Sequence, residues 1–329
     1  MKNFIIRRII LGLFITFFGA MLSYTVIRSL PTSYVESVAR QRASNPLSTK
    51  TYQEWITELN QVYGLDKGII PGFFGWLGNA IKGDFGESWH YAVPVTEKFS
   101  EVIWVSIILN IVTTLVQFFI AIPLGILAAR KQYSRTDYAI TFFALMGISL
   151  PTFFLATILK YVFAIKLQWF DLYGLTGRFH TTMTSFEQTI DIAYHLVLPV
   201  ITLMMLSVGG LMRYTRTNML EVLNSDYIRT ARAKGLPEKV VINKHAFRNT
   251  LIPLVTSLSG ILPGMFTGAM ITETLYQIPG IGYISYQAII RGDIPFAMFY
   301  MVFLILLTQV SILVSDILYA IVDPRIRVN

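Results

Sequence analysis

The sequence predicts an all-α polytopic membrane protein with six transmembrane helices, cytoplasmic N- and C-termini, and an extracytoplasmic lobe between the first and second helices. Three observations predict this fold class. The chain of 329 residues is 54% hydrophobic and only 14% charged, whereas a soluble protein needs about 25% charged residues to cover its surface. Six apolar runs come close to the length of about 20 residues that crosses a bilayer as a helix. Basic residues are concentrated on one side of these runs.

The six predicted spans are runs without any charged residue. Helices are expected for such runs because lipid offers no hydrogen-bond partner to an exposed backbone. In chain order the spans are Ile9–Ile27, Val102–Ala129, Tyr138–Leu159, Leu196–Met212, Thr250–Thr272 and Ile294–Ser315. The first run could be read as a cleaved signal peptide. Its apolar core is too long for that and no Ala-x-Ala-like site follows, so an uncleaved helix is predicted. Bends are expected at three prolines, namely Pro123, Pro151 and Pro199.

The orientation follows from the distribution of Lys and Arg near the ends of the spans. One side, which includes the loop 213–249, holds sixteen basic and five acidic residues, and the remainder holds eleven basic and fourteen acidic residues. The side richer in basic residues is predicted to be cytoplasmic. The net charge of +8 therefore reflects membrane orientation rather than a nucleic-acid surface. The predicted domains are 1–28, the cytoplasmic N-terminus and first helix, 29–101, the extracytoplasmic lobe, and 102–329, a five-helix core.

The predicted outer segments are of unequal size. The lobe is long enough for a small folded unit, and helix-like stretches occur at Tyr52–Tyr63 and Phe73–Ile81. Two further outer loops are predicted at Lys166–Tyr194 and Glu273–Asp293.

The cytoplasmic loop between the fourth and fifth spans predicts a short helix over Asp226–Lys234. Ser225 or Asn224 suits the N-cap position, and an aspartate in the first turn is favoured by the helix dipole. Gly235 can take the left-handed conformation that ends a helix. Pro237 then suits the start of a new helix.

One side of this short helix carries three residues that form an apolar stripe, Tyr227, Ile228 and Ala231. A capped helix of this kind can enter a groove on another protein. An alternative interpretation is a solvated basic loop, whose positive charge only reflects its position on the inner side of the membrane. The residues alone favour the two interpretations about equally.

The same loop resembles a known protein family. The runs Asp226–Leu236 and His245–Asn249 are similar to the cytoplasmic loop of ABC-importer permeases of the dipeptide/oligopeptide/nickel branch, in the B-type peptide permease subunit. Further segments match that family in order and at its spacing, namely Gly83–Ser88, Pro94–Val95, Ile122–Gly125, Ser149–Pro151, Pro279–Gly282 and Asp323–Arg327. Each match is weak alone, and together they cover nearly the whole chain.

The resemblance implies that the short helix is a coupling helix that docks into a cleft on a cytoplasmic ATPase. The residues expected at this contact are Asp226, Tyr227, Arg229, Thr230, Ala231, Lys234, Gly235 and Leu236. The broader permease signature begins Glu-Ala-Ala, with glycine four residues after the second alanine. Here Arg229 and Thr230 stand in its first two positions, while Ala231 and Gly235 keep the spacing.

The resemblance also implies a function and a set of partners. The chain is expected to be a permease subunit of an ATP-driven importer in a bacterial or archaeal cell membrane. It is expected to move di- or oligopeptides inward by alternating access, with nickel chelates and glutathione as alternative substrates. The expected partners are a second homologous permease, two cytoplasmic ATPase subunits that carry ATP and Mg, and an extracytoplasmic substrate-binding protein.

The residues predict no catalytic, cofactor or metal site in this chain, which is expected not to be an enzyme. The sequence lacks the Gly-x4-Gly-Lys-[Ser/Thr] loop that cradles a nucleotide phosphate, and it contains no cysteine. Its four histidines, His90, His180, His195 and His245, show no metal-ligand spacing. Each is interpreted as an ordinary polar or interfacial residue.

Polar and special residues near the spans are candidates for the translocation pathway or its gate, because charges are costly there. They are Ser149, Pro151, Lys160 and Glu273. Lys160 either extends to the outer interface, which is the favoured interpretation, or lines the path and meets a substrate carboxylate. Glu273 follows the fifth span and is expected at an outer gate. Asp316, near the inner end of the last span, is expected to pair with a neighbouring subunit or with backbone.

Two other classes of membrane protein are alternatives. A proton-coupled secondary transporter needs intramembrane acids, for which only Asp316 and Glu273 are available, and no inverted repeat is evident. A non-transporting membrane scaffold is the other alternative. Three glycines at four-residue intervals, Gly260, Gly264 and Gly268, predict close helix packing, which we expect against the second permease.

Overall fold

The computed structural model describes residues 2–30, 34–251 and 261–322. The described α-helices are α1 (Lys2–Ser29), α2 (Tyr34–Ala43), α3 (Tyr52–Val62), α4 (Ile69–Ala80), α5 (Val95–Arg130), α6 (Arg135–Ser149), α7 (Thr152–Leu159), α8 (Ser185–Leu223), α9 (Asp226–Ala233), α10 (Glu238–Val240), α11 (Ile261–Phe266), α12 (Met270–Tyr276), α13 (Ile281–Ile290) and α14 (Ile294–Val322). Two π-helical segments, Lys160–Lys166 and Val241–Ala246, follow α7 and α10, and a short 3₁₀ turn spans His180–Thr182.

Four described helices are long and apolar enough to cross a membrane, and they are α1, α5, α8 and α14. Their number rises to five if the bent pair Arg135–Ser149 and Thr152–Lys166 forms one span. These elements contain five of the six predicted spans. The predicted fifth span, Thr250–Thr272, falls partly on residues 252–260, which lie outside the described residues. The structure therefore shows four to five candidate spans, and the count of six and the membrane orientation stay predictions.

Of the three prolines expected to bend helices, one lies at a sharp break. The helix axes on either side of Leu150–Pro151 differ by 104°. Leu150 has extended backbone angles, φ −85° and ψ 131°, as expected for a residue that precedes proline. Pro123 and Pro199 instead lie inside the continuous helices α5 and α8.

The chain divides into two compact units, and each is described by itself. Unit 1 comprises residues 1–103 and 284–329, and unit 2 comprises residues 104–283. This contact-based division differs from the predicted domains because the last long helix, α14, packs against α1. The predicted boundaries at 28/29 and 101/102 separate segments on different sides of the membrane, and they stay predictions.

Unit 1 is built on the packing of α1, α4 and α14. Tyr24 and Phe73 are buried with Met298 in one apolar cluster. Near the other end of α1, Arg8 pairs with Asp316 at 3.0 Å between Nε and Oδ2. The expectation that Asp316 pairs with a neighbouring subunit or with backbone is therefore wrong, since its partner is a side chain of the same chain.

The predicted lobe is helical within unit 1. The two helix-like stretches appear as α3 and α4, while α2 was not predicted. Helix α3 begins with a capping box in which Thr51 and Glu54 exchange hydrogen bonds, and its Leu59 packs against Val35 and Ala39 of α2. The lobe thus has a small apolar core of its own.

Unit 2 contains the core formed by α5, α7, α8 and α12, in which Leu109, Leu155, Leu198 and Tyr276 pack together. The described end of the predicted fifth span is not one helix, because α11 ends at Phe266 and α12 begins at Met270.

The glycine repeat expected to pack against a second permease is interrupted in the same region. Gly268 has a left-handed backbone conformation (φ 72°), and a Cβ atom there would lie 2.6 Å from the backbone nitrogen of Gly282 in the same chain. Gly260 lies outside the described residues.

Candidate functional site

The predicted cytoplasmic helix is present as α9, Asp226–Ala233. Ser225 is its N-cap residue with extended backbone angles, but its hydroxyl donates to the carbonyl of Val222 and does not cap the helix. At the other end Gly235 has φ 78°, and the amide of Leu236 donates to the carbonyl of Ala231 at 3.4 Å. The predicted helix, its N-cap residue Ser225 and its left-handed glycine are therefore confirmed.

The apolar side of α9 faces the chain itself. Ile228 is fully buried and Ala231 is 8% exposed, and both belong to a cluster with residues of α5, α8 and the π-helical segment, among them Ala129, Met219 and Val241. This burial orients α9 firmly on the rest of unit 2.

The structure separates Tyr227 from the stripe to which we assigned it. Tyr227 is 47% exposed, whereas its neighbour Ile228 is fully buried. The prediction of one partner-facing stripe is wrong, because consecutive residues of a helix point about 100° apart and the smaller aliphatic side chains fill the chain's own core. Ala231, expected at the partner contact, lies mostly inside this cluster.

The opposite side of α9 is open. The residues expected at the partner contact that are exposed are Asp226, Tyr227, Arg229, Thr230, Lys234, Gly235 and Leu236. These residues run from the first turn of α9 to the turn that follows it. They form a surface of one tyrosine, one leucine and mixed charges, which we call the α9 surface.

The turn after α9 is fastened by an ion pair. Arg232 donates from Nε and Nη2 to the two carboxylate oxygens of Glu238 at 3.2 and 2.8 Å. The hydrogen bonds from the Arg232 guanidinium hold the pKa of the Glu238 carboxyl below its usual range. This two-point contact brings the first turn of α10 back onto the last turn of α9 and fixes the loop around Gly235.

Glu273, expected at an outer gate, is fully buried in α12. Its Oε1 accepts hydrogen bonds from the Ser106 hydroxyl at 2.7 Å and the Ala269 amide at 2.9 Å. Its Oε2 accepts from the Tyr283 amide at 2.9 Å. The carboxylate is thus surrounded by donors, which compensates for its burial. Glu273 joins α5, α12 and the start of α13 within unit 2.

The turn between α12 and α13 fits closely around this carboxylate. A Cβ atom on Gly280 would lie 2.4 Å from the Ser106 hydroxyl and 2.6 Å from Glu273 Oε2. A Cβ atom on Gly282 would lie 2.8 Å from the backbone of Met270. These two glycines of the Pro279–Gly282 segment are therefore required by close approach rather than by a special backbone angle.

Lys160 lies next to the same helix. Its Nζ donates to the carbonyl of Leu275 at 2.6 Å and lies 3.9 Å from the centre of the Tyr173 ring. A cation at the last carbonyls of α12 is favoured by the helix dipole. The structure thus brings two of the four pathway candidates, Lys160 and Glu273, onto one short helix. Ser149 and Pro151 instead lie exposed at the bend between α6 and α7.

Three polar groups in unit 2 were missed. Ser106 was missed because the sequence shows it only as one polar residue within an apolar run. Arg216 donates two hydrogen bonds of 2.8 Å to the buried Asp137. In the sequence, Asp137 could be noticed only as an acidic residue at the basic end of a predicted span.

Asp191 is the third of these groups, and it contacts two of the histidines interpreted as ordinary polar or interfacial residues. His180 Nδ1 lies 2.6 Å from Asp191 Oδ2. His195 Nδ1 lies 2.7 Å from the backbone carbonyl oxygen of Asp191 and 3.3 Å from its Oδ1. The Asp191–His195 contact has the i,i+4 spacing of neighbours on a helix, but the segment Lys166–Tyr194 was predicted as a loop. His180 lies eleven residues before Asp191 and outside α8, so no helical spacing predicts its contact.

Residues 121–328 match the family described as "Binding-protein-dependent transport system inner membrane component". The chain belongs to this family. The recognition made from the loop motifs is thereby confirmed, as is a multi-pass location in the cell membrane. This inner membrane component is part of a transport system and not itself an enzyme.

Relatives of this inner membrane component are similar over its whole length. The chain is 36% identical to the oligopeptide transport system permease protein AppB of Bacillus subtilis, over 99% of this chain and 100% of that protein. It is 33% identical to the oligopeptide transport system permease protein OppB of Haemophilus influenzae, again over 99% and 100%. It is 34% identical to the di/tripeptide transport system permease protein DppB of Pseudomonas aeruginosa, over 99% of each.

Among solved structures, an inward-facing form of the methionine ABC transporter MetNI is similar, with a TM-score of 0.48 and 15% identity. It covers 66% of this chain and 95% of that one.

Proposed function

We propose that this chain is the permease subunit of an ATP-driven peptide importer and that the α9 surface couples it to a cytoplasmic ATPase. The substrate class rests on the relatives, which are named as oligopeptide and di/tripeptide permeases and align over their full length. In the proposed topology six helices cross the membrane, both termini lie inside, and residues 29–101 lie outside.

The single observation that supports the coupling role best is the two-sided character of α9. Its apolar side is buried against α5 and α8, so a displacement of α9 must be passed to these long helices. Its other side is exposed and carries Tyr227, Thr230 and Leu236. A short element that is rigidly attached on one side and open on the other suits the transfer of movement between subunits.

The proposed partners follow from this arrangement and from the family. Two ATPase subunits would hold ATP and Mg and contact α9, and a second homologous permease would complete the path. An external binding protein would deliver the peptide. Closure of the ATPases displaces α9, and the attached helices shift the equilibrium between inward- and outward-facing states.

The pathway candidates are proposed to act at the outer end of this movement. Glu273 and Lys160 hold α12 from two directions, so α12 is proposed as the gate element. The bend at Ser149–Pro151 is proposed to line the path. Lys160 is proposed to act through α12, since its Nζ donates to the carbonyl of Leu275 in that helix.

Replacement of Gly235 tests the coupling proposal. Gly235→Asp places a charged side chain in the middle of the α9 surface, at a left-handed residue where a Cβ atom meets no other atom within 4 Å. We expect normal membrane insertion, loss of peptide uptake, and ATP hydrolysis that no longer responds to the binding protein. The measurement is uptake and ATPase activity of the reconstituted complex.

Gly83→Asp is the matched control, because Gly83 also has a left-handed conformation (φ 84°) and open space around it but lies in the proposed outer lobe. We expect it to retain uptake. Uptake at the level of the unaltered protein in Gly235→Asp would contradict the proposed docking role.

A further inference from the structure

A pocket of about 540 Å³ lies within unit 1. Its volume is in the range of about 300–1,000 Å³ that is typical of sites for small molecules. The walls come from the C-terminal end of α1, from α4, from the segments 62–67 and 84–89, and from the first residues of α14. All of these lie at the outer ends of spans or in the outer lobe of the proposed topology.

The pocket offers aromatic surface. Tyr24, Tyr63, Trp76 and Trp89 all line it, and the rings of Tyr63 and Trp89 lie 4.7 Å apart. The indole Nε1 of Trp76 has no hydrogen-bond partner among the described residues. Aromatic faces of this kind provide contact area without demanding one particular side chain from a ligand.

Charges of both signs line the same pocket, with Arg28 and Lys67 against Asp84 and Glu87. The guanidinium of Arg28 is held in place by hydrogen bonds to the carbonyls of Leu65 at 3.1 Å and Lys67 at 3.0 Å. Within the described ranges, none of the four charges forms a salt bridge with another residue. A ligand that carries both an ammonium and a carboxylate would therefore find an opposite charge for each.

We propose that this pocket binds a short peptide through its two charged termini. Asp84 and Glu87 attract the terminal ammonium, Arg28 and Lys67 attract the carboxylate, and the aromatic rings contact the atoms between them. This inference rests on the proposed function and places a peptide site in the permease itself, outside the binding protein. A loop of a partner protein has no free termini and could match these charges only through charged side chains of its own.

Two glycines of α4 provide a matched test. A Cβ atom on Gly75 or on Gly78 meets no other atom within 4 Å, so both positions accept a larger side chain. Only Gly75 lines the pocket. Gly75→Trp therefore fills the pocket, and Gly78→Trp adds the same indole to the same helix outside it.

The experiment measures binding of radiolabelled trialanine to the complete transporter in nanodiscs, with the binding protein left out. We expect saturable binding to the unaltered complex and to Gly78→Trp, and binding weaker by about tenfold or more to Gly75→Trp, which corresponds to a loss of about 1.4 kcal/mol. Trialanine with an acetylated N-terminus and an amidated C-terminus should bind about tenfold or more weakly than free trialanine to the unaltered complex and to Gly78→Trp.

Equal binding to the unaltered complex and to Gly75→Trp would overturn the pocket, and equal binding of the capped peptide would overturn the role of the termini. If no complex binds the peptide and Gly75→Trp also loses docking of the binding protein, the pocket belongs to that docking contact. This result would overturn the inference as well.

Uptake by the complex with its binding protein is measured in parallel. A complex that transports peptide while failing these binding tests disproves the pocket alone, and a complex that transports no peptide disproves the proposed function.

Discussion

Tyr227 and Ile228 are neighbours in the sequence with opposite environments. Ile228 is fully buried in the cluster beneath α9, and Tyr227 is 47% exposed. One of them therefore maintains the fold of the loop, and the other is available to a partner. The two residues allow the roles of folding and docking to be separated by experiment.

Alanine substitutions should separate these roles. Ile228→Ala leaves a cavity in a packed cluster and should destabilise the loop by about 2–4 kcal/mol, measured as faster proteolysis between α8 and α10. Tyr227→Ala should leave proteolysis unchanged and weaken retention of the ATPase subunit during purification. Tyr133→Ala, a change at a tyrosine that is 73% exposed in another predicted cytoplasmic loop, is the control for both readouts. Protection of Ile228→Ala equal to that of the unaltered chain would contradict the packing role.

Residue patterns predicted part of this site. Gly235 was predicted because the end of a helix favours a residue that tolerates positive φ, and that requirement is local. The inward direction of Ile228 and Ala231 was not predicted, because it depends on Met219 and Val241, which lie on other elements. Glu273 was recognised as unusual, but its partner Ser106 lies 167 residues away in the chain. Local sequence patterns can thus predict the backbone conformation of a residue such as Gly235. The contacts of Ile228 and Glu273 depend on residues that the fold brings from other elements.

Among the elements, α9 and α10 form a compact hairpin that the Arg232–Glu238 pair closes. Both side chains are about half exposed, so the pair contributes at most about 1 kcal/mol. Since hydrogen bonds from Arg232 lower the pKa of Glu238 from its ordinary value of 4.5, the stabilisation is fully present above that value. It is lost only as the pH falls through the lowered pKa.

Charge reversal tests whether this closure matters for transport. Arg232→Glu and Glu238→Arg each place two like charges at the turn, and each should reduce uptake by up to about fivefold, equivalent to about 1 kcal/mol. The double variant restores an ion pair of reversed polarity and should recover most of the uptake. Uptake that is equally low in the double variant would show that Arg232 or Glu238 acts through a contact other than this pair.

Over the chain as a whole, the long apolar helices were better predicted than the bends and breaks between them. Long apolar runs predicted α1, α5, α8 and α14, because the bilayer imposes a length that a sequence must display. The bend predicted at Pro151 is a break of 104°, because Leu150 before the proline has extended backbone angles. The described part of the predicted fifth span is divided between α11 and α12, with Gly268 in a left-handed conformation between them.

Reporter fusions test the proposed topology. A reporter after Asn60, in α3, should be active only outside the membrane, and one after Val240 should be active only in the cytoplasm, because basic residues are concentrated on the Val240 side. Paired fusions of alkaline phosphatase and green fluorescent protein give opposite signals and serve as internal controls. The reverse pattern would overturn the orientation of every span.

The central claim is that the α9 surface touches an ATPase carried by another chain. The most direct measurement is photo-crosslinking in the assembled transporter from a benzoyl-phenylalanine placed at Thr230, an exposed position on α9. The same probe at the exposed Tyr133 controls for random collision on the cytoplasmic side. We expect an adduct between this chain and the ATPase subunit from position 230, with little from position 133. Equal yields from both positions, or no ATPase adduct from position 230, would contradict it.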